Sequence, residues 1–139
     1  MNILLVEDNP ADIKLTQEAF KLNDVHSALN IVMDGHEAME YLRKQGQYKE
    51  AKTPDIVLLD INLPKKNGHT VLAEMKADQT LKSIPVIMLT TSASKNDIIF
   101  SYALHANCYI TKPVDLKQFV SVVKTIKDFW FTIARLPKK

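Results

Sequence analysis

Ile56-Val57-Leu58-Leu59-Asp60-Ile61-Asn62-Leu63-Pro64-Lys65-Lys66-Asn67-Gly68 is the stretch on which the reading of the chain turns. Four apolar residues, two of them β-branched, run straight into an acid. An unbroken apolar run of this kind fits a strand buried on both faces, as in parallel sheets. Pro64 and Asn67-Gly68 then break and turn the chain. Asp60 therefore falls at the carboxyl end of a central strand, the edge at which open α/β sheets bind their ligands.

Outward from this stretch the same pattern recurs. Residues 2–6 form an apolar strand ending at Glu7-Asp8, and Asn9-Pro10 starts a helix over 10–22 with Ile13, Ala19, Phe20 and Leu22 on one face. A second strand spans 28–32. A helix over 35–45 carries Ala38, Met39 and Leu42, and a polar loop leads from 46 to 54. After the strand at 56–60 comes a helix over 68–77 with Val71, Leu72 and Met75. A strand at 85–90, a helix over 96–104, a strand at 108–111 and a helix over 115–134 complete the chain. Five strands alternating with five helices predict an α/β fold: a doubly wound, five-stranded parallel sheet between two helical layers.

The 139 residues suffice for one domain with a real core, expected over 1–139 with a helical extension from about 128 and no output domain. Hydrophobic residues make up 46% and charged ones 24%, an ordinary globular balance. No apolar window is long enough for a membrane span. The first strand has no basic region before it and meets acids at once, so it does not read as a signal peptide. One cysteine excludes an intramolecular disulfide, and both features favour the cytoplasm. A formal charge of +2 and the lack of a recognisable motif argue against nucleic acid as a partner.

The strand ends carry the chemistry: Glu7-Asp8, Asp60, Thr90 and Lys112 converge on one edge. Two unit charges ~4 Å apart repel by roughly 4 kcal/mol at an effective dielectric near 20. A hard divalent cation removes that cost, and an all-oxygen, acid-rich site suits Mg²⁺. Each acid taken singly reads better as a solvated loop residue. Together, with Thr90 and Lys112 at the neighbouring ends, they read as a site.

These features, in this order and on these elements, resemble the receiver domains of two-component response regulators. The match runs from residue 2 to about 127. Asn62-Leu63-Pro64-Lys65-Lys66, the Cys108-Tyr109 strand and Phe129-Trp130 with Leu136-Pro137 further resemble the small regulators paired with cyanobacterial phytochrome kinases. The resemblance implies a flavodoxin-like sheet in the order 2-1-3-4-5. It also implies that Asp60 accepts a phosphoryl group from a histidine kinase. Asp8 and Asp60 would bind Mg²⁺ directly, with the Asn62 backbone carbonyl, and Glu7 through a water. Thr90 and Lys112 would meet phosphoryl oxygens, and Thr90 with Tyr109 would report the modification. Pro113 would follow a cis peptide. Asn62, Thr91 and Ser92 would tune dephosphorylation, Thr91 by its bulk.

A homodimer is expected through the fourth helix, fifth strand and fifth helix. Leu116, Phe119, Val120, Val123 and Trp130 suffice for the core stripe of the last helix, leaving Val122, Ile126, Phe129 and Ile133 as a second stripe. The fourth helix, with Ile98, Ile99, Phe100 and Tyr102, has little polar face. The bland alternative is a tail that folds back over the stripe. Among the histidines, His105 reads as a left-handed helix end, while His26, His36 and His69 read as surface residues. Cys108 reads as a small core residue. Three alternatives stand beside the phosphoacceptor: a phosphohydrolase passing through an aspartyl phosphate, a flavodoxin-like cofactor binder, disfavoured because Glu7-Asp8 would repel phosphate after the first strand, and a scaffold independent of phosphorylation. Asn62, two residues after Asp60, cannot transfer the proton that the hydrolase needs.

Overall fold

A computed structural model describes residues 2–25, 28–113, 115–133 and 135–136, with the side chains of Ala28, Thr132 and Ile133 excluded. His26, Ala134, the Ile133 side chain and the tail Pro137-Lys138-Lys139 thus lie outside the described residues. The elements are β1 (Asn2–Val6), α1 (Pro10–Leu22), β2 (Ala28–Val32), α2 (Gly35–Leu42), β3 (Ile56–Leu59), α3 (Gly68–Ala77), β4 (Val86–Thr90), α4 (Lys95–Ala103), β5 (Cys108–Thr111) and α5 (Leu116–Ile126). All strand pairs are parallel and the order is β2-β1-β3-β4-β5, as expected.

Alternation along each strand builds two cores. Ile3, Leu5, Ile56, Leu58, Ile87 and Leu89 meet Phe20 of α1 and Phe119, Val123 and Ile126 of α5. Leu4, Val6, Val57, Leu59, Val86 and Met88 meet Met39 and Leu42 of α2 and Val71, Leu72 and Met75 of α3 on the other face. The chain changes direction across the sheet between β1 and β3, and β3 ends beside Asp60 at that switch point.

Each helix starts on a polar cap: the side chains of Asn9, Asp34, Asn67, Ser94 and Asp115 accept first-turn backbone N–H groups of α1 to α5 in turn. Two glycines let the segment after Asp60 pack closely. A Cβ on Gly68 would clash with the Asp60 carbonyl, and one on Gly35 with that of Lys66.

Three expectations on element bounds change. The second helix stops at Leu42, not 45, because Lys44 turns left-handed at φ 55° and Gly46 follows at φ 58° into a short 3-10 turn, Gly46–Tyr48. The fourth begins at Lys95 on its Ser94 cap and ends at Ala103, with His105 left-handed at φ 70° as read from the sequence. The last helix is α-helical only to Ile126; Lys127–Ile133 widens into a π-helix. The wide turn brings Trp130, Phe131 and Leu136 onto the α1–α5 core. Among the described residues no helix is long and apolar enough to cross a membrane.

The expected dimer stripe also changes. Ile126 is 3% exposed and belongs to its own chain's core, whereas Leu116, expected inside, is 37% exposed. Ile98 and Val122 are half-buried, Val122 against the α1–α5 core. What stands exposed is Ile99, Phe100 and Tyr102 on α4 and Phe129 beyond α5. Helix geometry puts Ile126 only about 20° from Phe119, so the core face of α5 runs over Ile126, Phe119 and Val123 and is rotated toward Val122 from the stripe assigned to it.

Candidate functional site

Backbone hydrogen bonds extend the sheet one residue past three strands and so fix the site. The Glu7 N–H donates to the Val32 carbonyl at 3.0 Å, that of Asp60 to Val6 at 3.1 Å and that of Lys112 to Thr90 at 2.7 Å. Glu7, Asp60 and Lys112 are all buried, 2%, 6% and 7% exposed, because each continues a strand rather than a loop. Asp8 is half-buried, and one carboxylate oxygen from each of Glu7, Asp8 and Asp60 lies within 4.8 Å of the others. The set is all-oxygen, and among the described residues no histidine or cysteine joins it. That donor set fits a hard divalent cation.

Lys112 stands in the middle. Its ammonium bonds Glu7 Oε1, Asp12 Oδ2 at 2.9 Å and Asp60 Oδ2 at 3.0 Å. The second Asp60 oxygen, Oδ1, accepts the Ile61 N–H at 2.7 Å, and Glu7 Oε2 accepts the Asn9 N–H at 3.2 Å. Burial pushes the Glu7 carboxyl up to about 7, against the downward pull of the Lys112 bond and charge. Burial alone would lower the Lys112 ammonium, but its bonds to Glu7 and Asp12 and the charge of Asp60 outweigh that and hold it above the ordinary lysine value. One ammonium against four carboxylates leaves the pocket an anionic site that a cation stabilises.

A pocket of about 380 Å³ opens over this cluster, lined by Glu7, Asp8, Asn9, Pro10, Asp12, Asp60, Asn62, Thr91 and Lys112. Asn62 and Thr91 are exposed at its mouth. Thr90 is fully buried, and its hydroxyl accepts the Ser92 N–H at 3.4 Å instead of lining the pocket. Nor does Ser92 line it: its hydroxyl donates to Asp97 of α4 at 2.6 Å, and its carbonyl accepts the Tyr109 hydroxyl at 2.8 Å. Thr90, Ser92, Asp97 and Tyr109 thus form one chain of hydrogen bonds from the site to α4 and β5.

Two residues escaped the sequence. Asp12 is the third carboxylate on Lys112, yet an acid in the first turn of a helix ordinarily serves the dipole. Its one signal is the four-residue step from Asp8, which puts it within a helical turn of the acid pair. His69 is not simply a surface residue: its Nε2 lies 2.9 Å from the fully buried Ser101 hydroxyl, and its ring packs edge-on against Phe100, tying α3 to α4. The expected cis peptide is absent. The described residues contain none, the Lys112–Pro113 link included, and Lys112 is held by three carboxylates instead.

Known proteins resemble the chain in sequence and in fold. The model of the response regulator receiver domain matches residues 3–124. Response regulator Rcp1 of Synechocystis sp. is 48% identical over 135 residues, covering 97% of this chain and 92% of that protein. The crystal structure of the phosphorylated cyanobacterial phytochrome response regulator RcpA superposes with a TM-score of 0.93 at 54% identity, covering 98% and 97% of the two chains. The Mn²⁺-bound form of Rcp1 superposes at 0.90 with 48% identity, covering 98% of each. Likeness of this extent means that the chain belongs to the response regulator receiver domain family.

Proposed function

We propose that this chain accepts a phosphoryl group on Asp60 from the phosphohistidine of a phytochrome-type histidine kinase, with Mg²⁺ in the acid cluster, and signals by altered protein–protein contact. The observation that carries the reading is the Asp60 carboxylate itself: nearly buried, clustered with Glu7 and Asp8, bonded to Lys112 and facing an open pocket. The relatives RcpA and Rcp1 support the kinase class by their likeness.

Asp8, Asp60 and the Asn62 carbonyl would hold the cation, with Glu7 acting through a water. When bound, the cation offsets the carboxylates and the charge of the transferred group. An Asp60 oxygen bonds to phosphorus as the P–N bond to the kinase imidazole breaks, and the imidazole keeps the bonding pair. Positioning and charge do most of this work. Lys112 meets a phosphoryl oxygen as a point charge. The Thr90 hydroxyl, whose oxygen accepts the Ser92 N–H, turns to donate its own proton to another phosphoryl oxygen, and that turn passes through Ser92 to Asp97 and Tyr109. Asn62 and Thr91, at the pocket mouth, control the approach of donor and water, and Ser92 acts on the lifetime only through Thr90.

The receiving surface would be the α4–β5–α5 face, paired with a second copy through Ile98, Tyr102, Val122 and Phe129, with Ile126 buried beneath. The deciding experiment is phosphotransfer from an autophosphorylated phytochrome kinase, followed by mapping of the modified residue. Label on Asp60 is the expected result, and label elsewhere or none overturns the reading.

A further inference from the structure

The Lys112 ammonium has three protons and three carboxylate acceptors: Glu7, Asp12 at 2.9 Å and Asp60 at 3.0 Å. Every donor is spent, and the side chain is 3% exposed. If Asp60 is the phosphoacceptor, as proposed above, this same ammonium must meet a phosphoryl oxygen. One of the three bonds then has to go.

The three partners differ in what release would cost. Glu7 is 2% exposed with its second oxygen on the Asn9 N–H, so losing Lys112 would strand a buried charge. Asp60 carries the arriving group. The Asp12 side chain is 22% exposed, lines the open pocket and sits in the first turn of α1, where the helix dipole favours an anion without help from Lys112. The helix cap is made by Asn9, so Asp12 is free of that duty.

We propose that Asp12 is the partner that yields: it holds Lys112 in the unmodified protein and competes for it with the incoming phosphoryl group, thereby setting how readily Asp60 is loaded. Asp12 is a positioning residue that acts through Lys112 and touches neither the donor nor the reacting oxygen. A merely structural Asp12 would slow loading when removed, whereas a competitor speeds it.

The test uses the full chain, Mg²⁺ and two small donors. With phosphoramidate, an Asp60 oxygen bonds to phosphorus while the P–N bond breaks and ammonia leaves with the bonding pair. With acetyl phosphate the P–O bond breaks and acetate leaves. Asp12→Asn is expected to load about two- to fivefold faster than wild type, the scale of one partly exposed ion pair. Asp12→Ser, which also lacks the carboxylate, is expected to behave alike. The gain is expected to be equal for phosphoramidate, a monoanion, and acetyl phosphate, a dianion. Unchanged or slower loading overturns the proposal. So does a gain confined to acetyl phosphate, which would mark simple charge repulsion. A wild type that loads from neither donor overturns the phosphoacceptor reading itself, and this inference with it.

Discussion

At the edge that carries Asp60, each buried functional side chain is tied to the sheet by its own backbone. Glu7, Asp60 and Lys112 all extend strand ladders and bond one another. On the α4–β5–α5 face, by contrast, Ile99, Phe100, Tyr102 and Phe129 stand about half exposed. At the edge the buried polar groups find their partners within one chain, whereas the face presents apolar area to water. A polar site can be built by the chain alone because the sheet aligns its strand ends. An apolar face takes its meaning from what covers it.

Four outcomes would break or sharpen that contrast. The largest is at the edge: Asp60→Asn is expected to abolish loading from kinase or small donors. Removing one of four clustered acids should raise the melting temperature in EDTA by a few degrees, equivalent to about 1 kcal/mol. Normal labelling of this variant would show that the edge is not where the chemistry lies. At the face, light scattering is expected to give twice the 15.8 kDa monomer mass, and Tyr102→Glu with Phe129→Glu to halve it. Both side chains are about half exposed, so neither change should cost the monomer its core. A wild-type monomer at high micromolar concentration would leave the face without a second copy.

A smaller effect is expected from Mg²⁺, which should stabilise the wild type by about 2.7 kcal/mol at a hundredfold excess over its dissociation constant. Asp8→Ala should flatten that dependence while leaving the α4 face untouched. A melting temperature indifferent to millimolar Mg²⁺ in wild type would remove the metal from the account. Smallest is Thr91→Ala at the pocket mouth, expected to change loading or lifetime by a few fold, about 1 kcal/mol in barrier. Identical kinetics would deny the side chain any part in access.

What was legible in the sequence follows from the same contrast. Glu7, Asp60, Thr90 and Lys112 could be read because each ends an apolar run, and a parallel sheet brings all such ends to one edge. Asp12 could not, since its partner is 100 residues away and only the fold joins them. The phase of α5 was misjudged at Ile126 because, where apolar residues occupy a broad arc of a helix, the sequence does not show which part of that arc faces the sheet. The π-helix at Lys127–Ile133 left no sequence signal: its apolar residues suit either winding. The stop of α2 at Leu42 was hidden for a simpler reason, that Lys44, the left-handed residue just beyond it, carries no mark of its turn.

That last point bears on how the chain could be engineered. Two of its three glycines, Gly35 and Gly68, serve close packing, and the third, Gly46, sits at φ 58°. The customary exchange of glycine for alanine to raise thermal tolerance is therefore closed throughout the chain. Yet Asp24, Lys44, Lys65 and His105 occupy left-handed positions at φ 55° to 70° that suit glycine or asparagine better. Their replacement would relieve about 1 kcal/mol each. Where the backbone angle decides, the stabilising exchanges in this molecule run opposite to custom, toward glycine and not away from it.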